Sequence, residues 1–387
     1  MKRKIGVVTG SRAEYGLLYW VIRELMQDEA CDFQLYVTGM HLSPEFGLTY
    51  KLIEKDLIPI TAKVEVLLSS DTPVGVSKSV GVGVMGFADA FANHRPDVLL
   101  VLGDRFETFA AVVAALFARI PVAHCHGGEI TEGAVDESLR HAITKMAHIH
   151  FTATEGYRKR VMQLGENPEA VFCVGALGLE NIRRLKLLDK SSLEKAINFS
   201  LTDHVFMVTY HPVTLENATA AKQFEALLKA LDSFPGARII FTKPNADTDG
   251  RVIISMIDEY VRLHPDRTIA FTSMGQLNYL SCLQFTAVAI GNSSSGLIEV
   301  PSFNKPTVNI GDRQKGRDRS ASVVDCEPTI DEISNAIKKA TSDTFVKSIA
   351  TLVNPYDQGD PARQIVNVLK KTDLNNLLKK KFFDLKA

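Results

Sequence analysis

The chain has 387 residues, 45% hydrophobic and 23% charged, which is typical of a globular enzyme large enough for two domains. Its 44 basic and 45 acidic residues nearly cancel, so composition predicts no extended positive surface for nucleic acid or a membrane. No apolar run is long enough to span a bilayer, and the five cysteines contain no C-x-x-C pair. We therefore expect a cytoplasmic protein with reduced cysteines and neither nucleic-acid nor membrane partners.

Short runs rich in valine and isoleucine alternate with stretches of helical length along the whole chain. In the first half they predict strands at Ile5–Thr9, Phe33–Thr38, Val98–Leu102, Pro121–His126, Ile149–Thr152 and Val171–Val174. In the second half they predict strands at Val205–Tyr210, Arg238–Phe241, Thr268–Phe271, Ala287–Ile290 and Thr307–Ile310. Because the runs are continuously apolar, we expect parallel sheets covered by helices on both faces, in two doubly wound Rossmann-like α/β domains.

The helices predicted in the first half are Tyr15–Met26, Gly86–Asn93, Glu107–Ala118 and Glu137–Ala147. A polar stretch that begins at Asn181 predicts a domain boundary in the region from Gly175 to Ser192. We expect an N-terminal domain over residues 1–177 and a C-terminal domain over 178–363, with two helical stretches in 364–387 packing back on the first domain. The second stretch, Leu374–Phe383, is basic, and its lysines Lys379–Lys381 are expected to face solvent.

A serine-rich turn follows one apolar run and precedes a short predicted helix that ends at Pro301. The turn, Gly291-Asn-Ser-Ser-Ser-Gly296, offers backbone N–H groups, hydroxyls and the positive end of a helix dipole, which suit a phosphate or diphosphate. Helix capping is the competing interpretation of the serines. A hydrolase nucleophile elbow requires Gly-x-Ser-x-Gly, which the spacing of this turn does not match.

Nearly every predicted strand ends in small or polar residues, which is typical of an α/β enzyme with its site at the carboxyl ends of the strands. These ends are Gly10–Glu14, Gly103–Arg105, His124–Glu129, Tyr210–Pro212, Lys243–Asn245, Gly291–Ser293 and Gly311–Arg313. One such end is explained by a cap or a turn. So many together indicate a binding site.

Two of these ends carry charged residues with specific uses. Arg12 opens a predicted helix and suits a phosphate, although a salt bridge with Glu14 explains it equally well. Asp104 follows a buried strand, where partial desolvation tunes a carboxylate for proton transfer. Pairing with Arg105 or capping of the next helix is the alternative for Asp104.

The segment from His124 to Glu129 contains two histidines two residues apart on a predicted strand, so both should face the same side. Together with Glu129 they resemble a metal site, but the spacing fits no standard zinc motif. Gly127 and Gly128 suggest a backbone that approaches a ligand closely. We therefore favour a metal-free acid–base role over a metal site for this segment.

Further along, Asp136 and Arg140 are spaced i, i+4 on a predicted helix, as are Glu137 and His141, so each pair has a plain structural explanation. His211 ends a strand before a proline, and a functional role for it is suggested only by the polar residues at the other strand ends.

Two nucleotide-binding motifs are excluded. The pattern Gly81-Val-Gly-Val-Met-Gly86 follows a loop-like stretch, Ser69–Lys78, instead of a strand, and no Walker motif occurs, so we expect neither bound NAD nor an ATPase.

Several motifs together resemble one family. They are Gly10-Ser-Arg-Ala-Glu-Tyr-Gly16, Val37-Thr-Gly-Met-His41, Leu102-Gly-Asp-Arg105, His126-Gly-Gly-Glu129, Ser138-Leu-Arg-His-Ala-Ile-Thr-Lys145, His211-Pro-Val-Thr214, Gly291-Asn-Ser-Ser294 and Gly311-Asp-Arg-Gln-Lys-Gly-Arg317. From about Lys4 to Arg363 the chain is similar to bacterial hydrolysing UDP-N-acetylglucosamine 2-epimerases, which make N-acetylmannosamine for sialic acid. The resemblance implies two Rossmann-like domains in the GT-B arrangement of nucleotide-sugar glycosyltransferases, with the site in the cleft between them. It also implies a homodimer.

The resemblance assigns roles to residues of this chain. Those implied to bind the UDP portion are Arg12, Ser293, Ser294, Glu299 (on the ribose) and Arg313, and we add Asn245 at a strand end. Those implied to act on the sugar are Asp104, His126, Glu129, Asp136 and His211. Animal and non-hydrolysing relatives have a glutamate with a proposed acid–base role at the position of His126, so either His126 or Glu129 takes over that proton transfer here. No metal or other cofactor is implied.

The implied reaction eliminates UDP to give 2-acetamidoglucal and then adds water with inversion at C2. Breaking C1–O acidifies C2–H, so arginines must stabilise the leaving diphosphate while a carboxylate or imidazole takes the proton. Four alternatives stay open: the same chemistry on GDP-N-acetylglucosamine or a UDP-linked diacetamido sugar of the legionaminic acid route, a non-hydrolysing epimerase, a GT-B glycosyltransferase, and a non-catalytic nucleotide-sugar sensor.

Overall fold

The computed structural model describes residues 2–68, 72–130, 135–212, 220–244 and 248–385. The chain divides into two compact units, the first comprising Met1–Glu180 with Gln358–Ala387 and the second Asn181–Asp357. Each unit is built around one parallel β-sheet.

The first unit has a seven-stranded sheet in the order β3-β2-β1-β4-β5-β6-β7. Its strands are β1 (Arg3–Thr9), β2 (Cys31–Thr38), β3 (Ala62–Val64), β4 (Val98–Leu102), β5 (Val122–Cys125), β6 (Ile149–Thr152) and β7 (Val171–Cys173). Its helices begin with α1 (Arg12–Gln27), α2 (Tyr50–Lys55), α3 (Pro73–Asn93), α4 (Phe106–Phe117), α5 (Val135–Met146) and α6 (Glu155–Gln163). Short 3₁₀ helices lie at Gly39–Leu42, Pro44–Phe46 and Pro168–Ala170.

The second unit has a six-stranded sheet in the order β10-β9-β8-β11-β12-β13. Its strands are β8 (Val205–Thr209), β9 (Arg238–Thr242), β10 (Thr268–Phe271), β11 (Val288–Gly291), β12 (Thr307–Ile310) and β13 (Val323–Cys326). After α7 (Leu179–Arg184), at the division between the units, come α8 (Lys190–Ile197), α9 (Ala220–Asp232), α10 (Thr248–Leu263), α11 (Gln276–Phe285), α12 (Ser295–Ile298), α13 (Ile330–Ala340) and α14 (Asp343–Ile349). A 3₁₀ helix, Val300–Phe303, follows α12.

Both faces of each sheet are covered, because successive residues of the central strands pack into different cores. In β1, Val7 belongs to the core that contains α1, whereas Val8 belongs to the core formed with α3 and α4. In β8, Val208 and Met207 are divided between two cores in the same way. The predicted fold class, two doubly wound α/β domains with parallel sheets, is confirmed.

A closing helix, α15 (Pro361–Lys371), belongs to the first unit and packs against α1. Its buried face contributes Ile365 and Leu369 to the same core as α1. At the end of the helix, the Arg3 guanidinium donates a hydrogen bond to the carbonyl oxygen of Thr372 at 2.8 Å. A buried apolar face therefore anchors the end of the chain to its first strand and helix.

The last predicted helix, Leu374–Phe383, is wrong: this segment is made of turns and irregular backbone. Tertiary contacts decide its path. The Lys380 ammonium donates to the carbonyl oxygens of Lys145 and Ala147, both at 2.7 Å, and lies 2.6 Å from the Glu166 carboxylate. Lys380 is therefore an anchor and not part of a solvated face, although its two neighbouring lysines are exposed.

Helix α3 begins earlier than predicted, at Pro73, within the stretch interpreted as a loop. The Thr72 hydroxyl accepts the Gly75 N–H at 3.1 Å, and proline occupies the first turn, a combination that starts helices well. The glycine pattern Gly81–Gly86 therefore lies inside a helix and forms no phosphate-binding turn. Of the helices in the described ranges, none is both long and apolar enough to cross a membrane.

Candidate active site

The predicted site residues of the first unit follow β1, β4 and β5, which are neighbours in the sheet and end at the same edge. Arg12 is the first residue of α1. It is exposed and forms no ion pair with any described residue. Asp104 follows β4, and His126 and Glu129 follow β5.

Arg140 of α5 links three of these residues into what we call the acid–base cluster: Asp104, His126, Glu129 and Arg140. Arg140 is only 5% exposed. Its guanidinium donates to the Asp104 carboxylate, and its Nη1 atom lies 3.4 Å from Oε2 of Glu129. The other carboxylate oxygen of Glu129 lies 2.8 Å from Nδ1 of His126. An imidazole and two carboxylates are thus held together around one buried cation.

His126 lies one residue beyond the end of β5, which stops at Cys125 and not at His126 as predicted. Its φ of +66° is in the left-handed region, which is uncommon for a residue other than glycine. Strand alternation therefore does not set the direction of its side chain. The Nε2 atom is buried and has no hydrogen-bond partner among the described residues.

His124 and Gly128 have structural explanations that the sequence did not indicate. Both ring nitrogens of the fully buried His124 are hydrogen-bonded, Nε2 to the carbonyl oxygen of Gly103 at 2.7 Å and Nδ1 to the Thr144 hydroxyl at 3.1 Å. Burial lowers the pKa of His124 to about 3. A Cβ atom on Gly128 would lie 2.5 Å from the carbonyl oxygen of Tyr157, so a close approach within the protein, and not a ligand, requires glycine there.

The two i, i+4 pairs of α5 differ in outcome. Glu137 and His141 form the predicted pair, at 3.0 Å. Arg140 bonds to Asp104 and Glu129 of the acid–base cluster instead of serving mainly as a helix-face partner of Asp136. Asp136 is exposed as a residue, yet partial desolvation of its carboxyl group and then repulsion from Asp104 raise its pKa. Asp136 therefore lies close enough to Asp104 for the two carboxylates to interact.

A buried group that the sequence analysis missed lies behind the first turn. Glu14 accepts the Gly10 N–H at 2.7 Å and does not pair with Arg12, and the Ser11 hydroxyl accepts the Glu14 N–H at 3.3 Å. Burial and repulsion from Glu107 raise the pKa of Glu14 to about 7.

Arg105 completes this group. Its Nε atom donates to the fully buried Glu107 at 2.6 Å, so Arg105 is not the partner of Asp104 that the alternative reading of Asp104 required. Asp104 does not cap α4 either, because that helix begins after Arg105. The partner of the Asp104 carboxylate is therefore the Arg140 guanidinium.

In the second unit the predicted residues follow β8, β11 and β12, which are also neighbours in their sheet. The side chain of Asn292, after β11, bonds twice to the backbone of His211, after β8. The Asn292 carbonyl oxygen accepts Nη1 of Arg313 at 3.0 Å and Nε2 of Gln314 at 2.8 Å. Asn292 thus connects three strand ends, and the sequence analysis did not single it out.

The serine turn between β11 and α12 is tightly packed at its first residue. Gly291 has a φ of +136°, and a Cβ atom there would lie 1.9 Å from the carbonyl oxygen of Thr209. The Ser293 hydroxyl accepts the Ser295 N–H at a long 3.4 Å, and Ser294 makes no side-chain cap hydrogen bond. Capping alone therefore accounts poorly for Ser293 and Ser294, and their hydroxyls suit a ligand.

Glu299 follows α12, and burial raises the pKa of its carboxyl group. Its Oε2 atom is buried without a hydrogen-bond partner in the described part of the chain, which suits a hydroxyl-bearing ligand. The last predicted residue, Asn245, lies outside the described residues. Within the described ranges, no three His, Cys, Asp or Glu side chains come close enough to hold a metal ion.

Comparison with known proteins gives consistent matches. Residues 23–370 match the family model described as UDP-N-acetylglucosamine 2-epimerase. The chain is 41% identical to the GDP/UDP-N,N'-diacetylbacillosamine 2-epimerase (hydrolyzing) of Campylobacter jejuni, over 99% of this chain and 100% of that protein. It is 38% identical to polysialic acid biosynthesis protein P7 of Escherichia coli, over 95% of this chain and 94% of that protein.

The same two-domain fold is found in a crystal structure of UDP-GlcNAc 2-epimerase from Neisseria meningitidis bound to UDP-GlcNAc. The TM-score is 0.80 at 18% sequence identity, and the match covers 95% of this chain and 100% of that chain. At this identity the likeness shows the fold alone.

Proposed function

The chain belongs to the UDP-N-acetylglucosamine 2-epimerase family, and on this premise we propose that it is a hydrolysing 2-epimerase of a nucleoside-diphosphate-linked 2-acetamido sugar. The observation that carries the proposal is the acid–base cluster: His126 has a buried, unpartnered Nε2 and contacts Glu129 through Nδ1, and Glu129 shares Arg140 with Asp104. The name of the Campylobacter jejuni relative, which includes the hydrolysing reaction, supports it.

The first half of the proposed reaction breaks C1–O and C2–H and forms the C1=C2 bond of the glycal. The electrons of the C1–O bond leave with the diphosphate, whose growing charge is proposed to be met by Arg12, Arg313, Ser293 and Ser294. The C2 proton passes to Nε2 of His126. Glu129, 2.8 Å from Nδ1, orients the ring and stabilises the imidazolium that forms.

The second half adds water to the glycal. One O–H bond of the water breaks as its oxygen bonds to C1, and that proton is released to solvent. A second proton is delivered to C2 by an acid on the face opposite the one that lost its proton, so C2 is inverted. Asp136 is our candidate for this acid, because the raised pKa of its carboxyl group favours the protonated form. Asp104 and His211 are proposed to line the sugar.

Two sugars are candidates. UDP-N-acetylglucosamine, converted to N-acetylmannosamine and UDP, is the substrate that the sequence motifs imply, and the Escherichia coli relative is named for polysialic acid biosynthesis. A UDP- or GDP-linked N,N'-diacetylbacillosamine is the second, because the Campylobacter jejuni relative, matched over its full length, is named for it. We place both in the same assay.

The test is proton NMR of the purified protein with each sugar nucleotide in D2O. Free nucleoside diphosphate together with a 2-epimeric sugar deuterated at C2 is the expected result. Product without deuterium at C2 would contradict the elimination route. A 2-epimeric sugar nucleotide without free diphosphate would mean a non-hydrolysing epimerase. Turnover only with an added acceptor would mean a glycosyltransferase, and UDP binding without any product would mean a sensor.

A homodimer is also proposed. Exposed apolar side chains lie on α3 and α4, helices that pack against each other, with Met85 64% and Phe117 80% exposed. Light scattering should give a dimer for the wild type and a monomer for Phe117→Asp. Leu263→Asp, on the second unit and 58% exposed, is the matched control and should stay dimeric.

A further inference from the structure

The side chain of Asn292 holds the backbone of His211 by both of its polar groups. Oδ1 accepts the His211 N–H at 2.7 Å, and Nδ2 donates to the His211 carbonyl oxygen at 2.8 Å. Asn292 is 1% exposed, so water does not compete for these bonds. Only one orientation of the amide satisfies both groups, because the reverse would place oxygen against oxygen and nitrogen against nitrogen.

These two bonds lie where the pairing of β8 with β11 ends. The last residue pair of the two strands is Thr209 with Gly291, and the Asn292 N–H still donates to the Thr209 carbonyl oxygen at 3.2 Å. Beyond that point the Asn292 amide takes the place of a peptide group. It continues the hydrogen bonding between the two chain segments to His211, two residues beyond the end of β8.

The backbone of Asn292 is used as well. Its carbonyl oxygen accepts Arg313 Nη1 at 3.0 Å and Gln314 Nε2 at 2.8 Å. One residue therefore joins the turn that carries His211 to the turn that carries Arg313. The side chain of Asn292 bonds to the first turn, and its main-chain carbonyl oxygen accepts hydrogen bonds from the second. A substitution of the side chain therefore removes the bonds to His211 and leaves the bond to Arg313.

We propose that Asn292 is a positioning residue of the reaction, whose side-chain amide places the His211 imidazole against the sugar. The inference rests on the proposed function for the role of His211, but the contact between Asn292 and His211 does not depend on that function. A displacement of a catalytic group by about 1 Å costs on the order of 10²-fold in rate. Loss of the two bonds should therefore lower kcat while the affinity for UDP, which depends on Arg313, changes little.

The first test compares Asn292→Ala with Asn309→Ala. Asn309 lies on the neighbouring strand β12 and is 2% exposed, so it matches Asn292 in burial, and its side chain donates at 2.8 Å to Asp325, which is given no role in the reaction. Asn292→Ala should lower kcat about 10²-fold, and Asn309→Ala should leave it within about twofold of the wild type. Equal losses in both variants would overturn the proposal.

The second test uses the pH dependence of Asn292→Asp. A protonated carboxyl group can donate to the His211 carbonyl and accept from its N–H as the amide does, whereas the ionised form can only accept. The ratio of Asn292→Asp activity to wild-type activity should therefore rise as pH falls, and the same ratio for Asn292→Ala should stay flat. A purely structural role predicts no such acid rescue, so a flat ratio for Asn292→Asp would contradict positioning.

The third test is a double-mutant cycle with His211→Ala. If Asn292 acts through His211, Asn292→Ala should cost little further in kcat once the imidazole is gone. Losses that multiply would mean that Asn292 acts elsewhere and would overturn the proposal.

A final measurement works even if the protein turns over no sugar nucleotide or a variant folds poorly. In the wild type, exchange of the His211 amide hydrogen should be protected and its resonance should move in Asn292→Asp but not in Asn309→Ala. An unprotected, unmoved His211 amide would disprove the placement. No turnover by the wild type with a protected amide would instead reject the proposed function alone.

Discussion

The Nδ1 atom of His126 lies 2.8 Å from Oε1 of Glu129, three residues further along the chain. If His126 is the base and Glu129 orients it, His126→Ala should lower kcat by about 10²- to 10⁴-fold, and Glu129→Gln should lower it less. The measurement is release of the nucleoside diphosphate. His141→Ala is the control, because His141 forms a similar pair with Glu137 on α5 at 3.0 Å but is given no catalytic role. A larger loss in Glu129→Gln would make Glu129 the base.

Arg140 should be required for stability as well as for activity. Arg140→Met leaves the Asp104 and Glu129 carboxylates without their shared cation, and breaking a buried ion pair in this way costs about 3 kcal/mol of unfolding free energy. Urea unfolding measures the loss. Arg262→Met is the control: Arg262 is 67% exposed and, among the described residues, pairs only with Glu259, so its removal should change little. An unchanged midpoint in Arg140→Met would show that the cluster does not depend on Arg140.

Glu14 should make the protein less stable as pH rises towards neutrality. Its pKa is raised from 4.5 to about 7 in the folded protein, so between these values the folded state binds the proton more tightly than the unfolded state. Stability therefore falls across this window, and the full penalty is present above it. Glu14→Gln, which can still accept the Gly10 N–H, should flatten the profile and stabilise the protein by on the order of 2 kcal/mol at pH 8. A slope that persists in the variant would place its origin elsewhere.

Lys380 should stabilise the irregular end of the chain. Burial opposes ionisation of Glu166, but hydrogen bonds from His150, Lys145 and Lys380 outweigh it and lower its pKa to about 2. The stability that this group contributes is therefore present above pH 4.5 and is lost as pH falls through about 2. Lys380→Met should cost about 2 kcal/mol near neutral pH, since hydrogen bonds to charged groups are among the stronger ones.

The exposed Lys379 is the matched control for that prediction. Lys379→Met should leave the thermal midpoint almost unchanged, while Lys380→Met should lower it by several degrees. Equal midpoints for the two variants would mean that the contacts of Lys380 contribute nothing measurable.

The central strands were predictable because each is a continuous apolar run. The predicted Val98–Leu102 coincides with β4, and the predicted Thr307–Ile310 coincides with β12. The strands β3 and β13 were not predicted. They are short strands at the sheet edges with partly exposed residues, so their apolar signal is weak, and pairing with a neighbour decides that they form.

Strand ends were predictable for a related reason. In a parallel sheet the residues after neighbouring strands lie at one edge, and this is enough to bring Asp104 near His126 and Glu129. Arg140 carried a signal that was not used: with Ile143 and Thr144 it lies on the buried face of α5 at i, i+3 and i+4 spacing. A charged residue at such a position needs a buried partner.

The sequence by itself determined the alternation of strands and helices, the parallel sheets, the edge where the polar residues gather and the family. These follow from local order along the chain and from motif spacing. Only the tertiary structure decided which distant groups bond: Arg140 to Asp104, Asn292 to His211, and Lys380 to Glu166. A side chain bonds to the partner that the packing brings within about 3 Å, and the intrinsic preferences of a segment such as Leu374–Phe383 yield to those contacts.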